Sequence, residues 1–229
     1  MEDRIYEERG GGEDFVFDDS VAAVFDNMVE RSVPGYRAVL ELEARLVRTC
    51  FAAGDLVYDL GCSTGNGLLA VAQALGDAGF RGIGIDSSGA MLERAREKAA
   101  GFRSGASLAF LEADATAVAL EPCGAVLCNY TLQFIRPPRR AAFLEKIHGA
   151  LRPGGMLLLA EKTLSHDPLC NRLFIGQGHD FKRERGYSDL EISRKREELE
   201  NVLVPFTAEE NLQLLRGAED VALERMGDH

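Results

Sequence analysis

The chain has 229 residues, of which 46% are hydrophobic and 28% charged; this is ordinary globular usage and excludes collagen-like and disordered classes. Lys and Arg number 26 against 37 Asp and Glu, and the net charge of -11 disfavours gripping nucleic acid phosphates over a broad surface. No apolar run approaches the ~20 residues of a membrane span, and the acidic start Met1-Glu2-Asp3-Arg4 has no apolar core behind it, so neither a membrane segment nor a secretory signal is expected.

The first fourteen residues carry six acids, two arginines and the run Gly10-Gly11-Gly12, and read as a mobile leader. From Phe15 the pattern is helical, with Val21, Val24, Phe25, Met28 and Val29 on one face. Ser32-Val33-Pro34-Gly35-Tyr36 breaks it, and a second helix follows to about Thr49. Beyond Gly54 short strands alternate with helices. Strands are expected at Leu56–Leu60, Gly82–Ile85, Leu108–Leu111, Ala125–Cys128 and Met156–Ala160. Helices are expected from Gly67 to Leu75, from Ser87 or Ser88 to Gly101, and from Ala141 to Leu151, the last stopped by Arg152-Pro153-Gly154-Gly155. Such alternation implies a parallel sheet covered on both faces. After Glu161 the regularity lapses. Ser188–Glu191 and Thr207–Glu210 are capping boxes that open two further helices, the second ending at Gly217, and Val221–Met226 reads as a last strand.

The expected division is a leader over residues 1–14 and one α/β domain over 15–229. Within it lie a helical lid (15–50), a Rossmann-like core (55–162), a helical insertion (163–204) and an incomplete C-terminal segment (205–229). Five irregularly spaced cysteines and four scattered histidines argue against a disulfide framework and a metal site, and for a reducing cytoplasm.

The sharpest local signal is Val57-Tyr58-Asp59-Leu60-Gly61-Cys62-Ser63-Thr64-Gly65-Asn66-Gly67. An acid near a strand end, then a glycine turn leading into a helix, lets a ligand approach the backbone and meet unpaired N–H groups. Ser63 stands where a dinucleotide fingerprint has its second glycine, so that motif is absent. Asp86, twenty-five residues beyond Gly61, suits two ribose hydroxyls; Asp114 suits an adenine amino group; Asn129 follows the fourth strand. All these stations fall at the C-terminal ends of strands, where open α/β sheets bind ligands. Singly, Asp86 and Asp114 could equally cap the next helix, and Asn129 could make a turn. Together the stations resemble the pocket of class I S-adenosylmethionine (SAM) enzymes, which implies a doubly wound Rossmann-like sheet with an N-terminal helical lid.

Further residues resemble one family, the carboxy-SAM synthases of the tRNA wobble-uridine pathway. They are Ser32–Tyr36, Asn129-Tyr130-Thr131-Leu132-Gln133-Phe134, Glu161-Lys162, His179-Asp180-Phe181-Lys182-Arg183, Gly186-Tyr187-Ser188, Leu190–Ser193, Lys195-Arg196 and Leu199–Leu203. The resemblance implies conversion of SAM and prephenate to carboxy-SAM and phenylpyruvate, with a sulfonium ylide capturing carbon dioxide in a closed pocket. It implies that Tyr36 contacts the ligand and that Gly61, Cys62 and Ser63 hold the methionine portion. Asp86 with Ser87 would take the ribose, Asp114 with Ala115 the adenine, and Asn129 the reacting end. Arg196 would read the new carboxylate from a partner subunit, which implies a homodimer. By spacing alone, Arg194-Lys195-Arg196 reads as a solvated helix face between Glu191 and Glu197-Glu198, and only the resemblance reverses that reading. Cys62 reads as a small turn residue rather than a nucleophile, and His179 as a packing residue rather than a catalyst.

The acidic composition agrees with a synthase of a small-molecule donor that does not itself bind tRNA. Two other functions use the same pocket: a methyltransferase acting on a small acidic metabolite, and an inactive SAM-binding scaffold. Class I enzymes end in an antiparallel hairpin, and only Val221–Met226 is available for it, so a sheet without its final strand is expected.

Overall fold

The computed structural model describes residues 16–102, 104–200 and 202–227. The expected leader lies outside them. Helix α1 (Asp19–Ser32) is capped by Asp18, whose carboxylate accepts from the Val21 N–H at 2.9 Å. Gly35, at φ 73°, turns the chain into α2 (Tyr36–Cys50), as the Pro-Gly break predicts. There follow β1 (Leu56–Leu60), α3 (Asn66–Leu75), β2 (Arg81–Asp86), α4 (Gly89–Ala100), β3 (Ser107–Glu112) and β4 (Cys123–Asn129). A 3-10 turn at Leu132–Phe134 precedes α5 (Pro137–Ala150), β5 (Leu151–Ala160), α6 (Pro168–Glu184), α7 (Asp189–Glu200) and α8 (Ala208–Gly227). No helix among the described residues is long and apolar enough to cross a membrane.

The five strands form one parallel sheet in the order β3-β2-β1-β4-β5. Alternate residues of the central strands serve opposite cores, which is why these strands read as continuous apolar runs. Leu56, Tyr58, Leu60, Val126 and Cys128 pack with Phe143, Leu144 and Ile147 of α5 and with Ala218 of α8. Val57, Ala125 and Leu127 pack on the other face with Ala44 and Val47 of α2 and Leu68, Val71 and Ala72 of α3. Helix α2 thus covers the sheet. The lid proper is α1, whose Val21, Ala22, Phe25, Met28 and Val29 gather on Met91 of α4.

Four expectations are corrected. Val221–Met226 is not a strand; α8 runs on to Gly227. One helix-interior glycine costs only about 1 kcal/mol, so Gly217 does not stop a helix anchored on α5 and opened by a reciprocal capping box. In that box the Thr207 N–H donates to Glu210 at 2.7 Å and the Glu210 N–H to Thr207 at 3.2 Å. Second, β5 begins at Leu151, opposite Cys123, and resumes at Met156, opposite Ala125, so Arg152–Gly155 form an irregularity inside the strand rather than a stop. Pro153 is tolerated because β5 is an edge among the described residues. Third, α1 begins only at its Asp18 cap, since residues 16–17 ahead of it are not helical. Fourth, the irregular stretch after Glu161 contains a 17-residue helix, α6, started by Asp167 and Pro168. It buries none of its residues, so no apolar stripe announces it.

The insertion is tied to the core by Arg140, which is 1% exposed. Its guanidinium donates to the carbonyls of Ile135 at 2.9 Å and Val204 at 2.6 Å and lies over the Phe206 ring. This brings the chain leaving α7 under the loop after β4, at one end of the cavity described next.

Candidate active site

A cavity of ≈ 1220 Å³ opens at the C-terminal ends of the strands, beneath α1. It exceeds the roughly 300–1,000 Å³ common to small-molecule sites, so it has room for more than one ligand. Tyr36, Gly61, Cys62, Ser63, Asp86, Ser87, Asp114, Ala115 and Asn129 all line it. Arg196 does not: it is exposed on α7, outside the cavity of its own chain. The helix instead sends Lys195 inward, where its ammonium donates to Ser32 Oγ at 2.8 Å.

Gly61 is required by its neighbours. It sits at φ 78°, and a Cβ there would collide with the Thr131 side chain. Asp86 closes the loop from below, accepting the Ser63 N–H on Oδ2 at 2.8 Å and the Ser88 N–H on Oδ1 at 2.9 Å. Each oxygen keeps a further lone pair for a ligand hydroxyl. Burial raises the Asp86 pKa against these two bonds. Asp114 caps a turn and not a helix, since no helix follows it before Leu132: it accepts from the Thr116 hydroxyl and N–H and pairs with Arg139 at 3.1 Å. The Thr116 hydroxyl first, then Arg139, hold its carboxyl below the usual range. Cys62 is buried, and burial pushes its thiol well above its ordinary pKa, so it is a compact turn residue and not a nucleophile.

Asn129 is oriented by a residue the sequence did not single out. Its Nδ2 donates to Glu43 Oε2 at 2.7 Å, and its Oδ1 is buried without a partner among the described residues. Gln133 is held the same way, donating to the Tyr130 carbonyl at 3.1 Å and leaving Oε1 unpartnered. Two buried acceptors on the cavity wall fit a ligand that carries N–H donors or a cationic centre. Around them stand acids with raised pKa values. Burial lifts Glu43 to about 7 and Glu161 to about 7. Burial, then the charges of Glu43 and Asp86, lift Asp59 to about 8. Gly67 makes room for Asp59, since a Cβ would lie 2.5 Å from its Oδ2. Glu43 is detectable in hindsight as a carboxylate on the apolar stripe Leu40, Ala44, Val47 of α2.

A second missed cluster ties the lid to the glycine loop. Asp26 of α1 accepts from Thr64 Oγ1 at 2.6 Å, Asn66 Nδ2 at 2.9 Å and Lys98 Nζ at 2.9 Å. Asn66 also donates to the Tyr36 hydroxyl at 3.2 Å. Burial pulls the Asp26 pKa up, but Thr64, Lys98 and Asn66 outweigh it and hold it below its ordinary value. These residues are scattered over four elements, and no local pattern links them.

Parallel sheet, glycine loop, acid-lined cavity and helical lid together define a class I SAM-dependent transferase fold. Residues 57–155 match the family described as methyltransferase domain. The structure of the plantazolicin methyltransferase BpumL in complex with SAH aligns with a TM-score of 0.62 at 20% identity, covering 88% of this chain and 70% of that one. The YcgJ protein from Bacillus subtilis aligns with a TM-score of 0.56 at 16% identity, covering 80% and 68%. At those identities the likeness speaks for the fold. Sequence relatives are more specific. The carboxy-S-adenosyl-L-methionine synthase of Desulfotalea psychrophila is 48% identical over 93% of this chain and 87% of the relative. Those of Wolinella succinogenes and Helicobacter hepaticus are each 46% identical, over 88% and 94% of this chain and 83% and 90% of the relatives. The chain belongs to the carboxy-S-adenosyl-L-methionine synthase family and is a SAM-utilising transferase.

Proposed function

We propose that the protein converts SAM and prephenate to carboxy-SAM and phenylpyruvate without a metal, and that the product is the donor for wobble-uridine 5-oxyacetic acid formation in tRNA. The observation that carries this reading is the extent of the identity. It spans 93% of the chain, far beyond the methyltransferase domain at 57–155 that many methyl-transferring enzymes share. When bound, SAM supplies a sulfonium whose methyl C–H bonds are acidified by the adjacent cation.

The chain's own residues bind and orient. In this reading Gly61, Cys62 and Ser63 hold the methionine portion, Asp86 and Ser87 the ribose, and Asp114 and Ala115 the adenine. Tyr36 and the fixed Asn129 Oδ1 face the reacting end. Glu43, Asp59 and Glu161 favour a cationic ligand, because an approaching positive charge stabilises their ionised forms. Helix α1, clamped by Asp26, keeps bulk water from the reacting groups.

A homodimer completes the reading. Helix α6 exposes Leu169 and Leu173, one turn apart, while its Phe174 and Ile175 line the cavity, and exposed apolar side chains on one helix face favour an interface. Arg196, on the adjoining α7, is then free to reach a second copy's cavity and pair bidentately with the transferred carboxylate. The protein is incubated with SAM and prephenate, and the products are read by mass spectrometry for a species heavier than SAM by one carbon dioxide. The Arg196→Ala variant should keep its SAM affinity and lose this product. Methylated prephenate in place of carboxy-SAM would overturn the reading, and unchanged turnover by Arg196→Ala would remove Arg196 from the site.

A further inference from the structure

The protein has eleven more acids than bases by net charge, and most of its inward-facing cations are engaged. Lys98 meets Asp26, Arg139 meets Asp114, Arg152 meets Asp55, and Lys195 meets Ser32. Lys162 and Lys182 are different. Both line the cavity, yet neither ammonium has a hydrogen bond or ion pair among the described residues, a condition shared there with the exposed Arg136 guanidinium. Lys162 lies two residues past Ala160, which is in register with Asn129 at the end of the sheet. Lys182 comes from the last turn of α6, which lines the same cavity. Each ammonium remains open to the cavity, but surrounding protein lowers both pKa values, and Lys182 is lowered further by the charge of Lys162. Both face the same cavity. His179 responds to the same field, since its pKa falls through burial and then through Lys182, Arg183 and Arg196.

Lys162 is exposed to the cavity and Lys182 is half-buried, so two like charges that face one cavity without an ion pair among the described residues make it attractive to an anion. SAM does not meet that need, because its sulfonium is cationic and its single carboxylate belongs with the glycine loop at the other end. We infer that Lys162 and Lys182 form a subsite for a small dicarboxylate co-substrate, one ammonium for each carboxylate, which holds the carboxyl donor against the Asn129 end of the SAM pocket. The inference rests on the proposed function for the identity of that dianion, prephenate. It adds the residues that recognise it and accounts for a cavity larger than SAM alone requires. Held between the two lysines, a dianion screens their repulsion, so each lysine contributes only while the other is present.

The test measures Lys162→Ala, Lys182→Ala and the double variant in two ways. One is the KM for prephenate in carboxy-SAM formation; the other is the Kd for SAM by calorimetry. Each single variant should raise KM by roughly tenfold or more, as expected for loss of a charge-assisted contact. The double variant should fall short of the product of the two effects, and SAM affinity and Tm should hold in all three. Lys182→Arg should recover part of the loss. A KM that does not move overturns the subsite, as does a parallel loss of SAM affinity, which would assign the lysines to the methionine carboxylate. If the wild-type protein makes no carboxy-SAM, the functional reading fails separately. Calorimetry of prephenate with the SAM-loaded protein then decides: lysine-dependent binding upholds the subsite, and absent or lysine-independent binding overturns it.

Discussion

Replacing Glu43 by glutamine tests the electrostatics of the cavity. The carboxyl is 6% exposed, and burial lifts its pKa from 4.5 to about 7. In the unfolded chain it releases its proton near the ordinary value. Between the two values the folded state therefore holds a proton that the unfolded state has lost, and stability falls as pH rises through that window. Above the folded pKa the loss levels off at about 3 kcal/mol from this group. Glutamine has no proton to lose, and its Oε1 can accept the same 2.7 Å bond from Asn129. Removing the charge also relieves Asp59, which Glu43 helps to raise, and this acts in the same direction. The Glu43→Gln variant should therefore unfold close to wild type at pH 5 and be more stable at pH 8. A gain of about 3 kcal/mol corresponds to about 6–12 °C in Tm for a chain of this size. Thermal unfolding of the ligand-free protein at both pH values is the assay. A gain at pH 5 equal to that at pH 8, or none at pH 8, would refute the reasoning.

Asp86→Asn sets an amide N–H against one of the two backbone donors that Asp86 now accepts, loosening the loop that carries Ser63. SAM affinity measured by calorimetry should drop roughly tenfold or more, and unchanged affinity would put the nucleoside elsewhere. Arg140→Met leaves the carbonyls of Ile135 and Val204 without their guanidinium partner, and the urea midpoint should fall by the equivalent of about 3 kcal/mol; a midpoint equal to wild type would mean that water replaces the guanidinium at no cost.

The parallel sheet was legible because both of its faces are buried. Ala125–Cys128 is apolar without interruption and Leu56–Leu60 is broken only by Asp59, and the glycine turn between β1 and α3 has a local cause in the positive φ of Gly61. Both capping boxes were legible for the same reason: Ser188 with Glu191, and Thr207 with Glu210, complete their bonds within three residues. Helix α6 was hidden because it packs none of its residues into the core, so only Asp167-Pro168 marks its start. Helix α8 was cut short because Gly217 weakens a helix locally, while its packing on α5 is a long-range gain.

Within the site, the sequence by itself determined the stations that follow each strand, since parallel register places strand ends side by side. It could not determine what orients them. Glu43 reaches Asn129 across 86 residues, and Asp26 meets Thr64, Asn66 and Lys98 across 38, 40 and 72. Only the tertiary structure decided that Lys195 points into its own chain while Arg196, one residue on, points out. Successive residues of a helix lie about 100° apart, and which of them meets solvent depends on where α7 is docked against α1. The raised acids and unpaired lysines belong to the same category. Their chemistry comes from burial and from neighbours distant in the chain, and neither exists until the fold has closed.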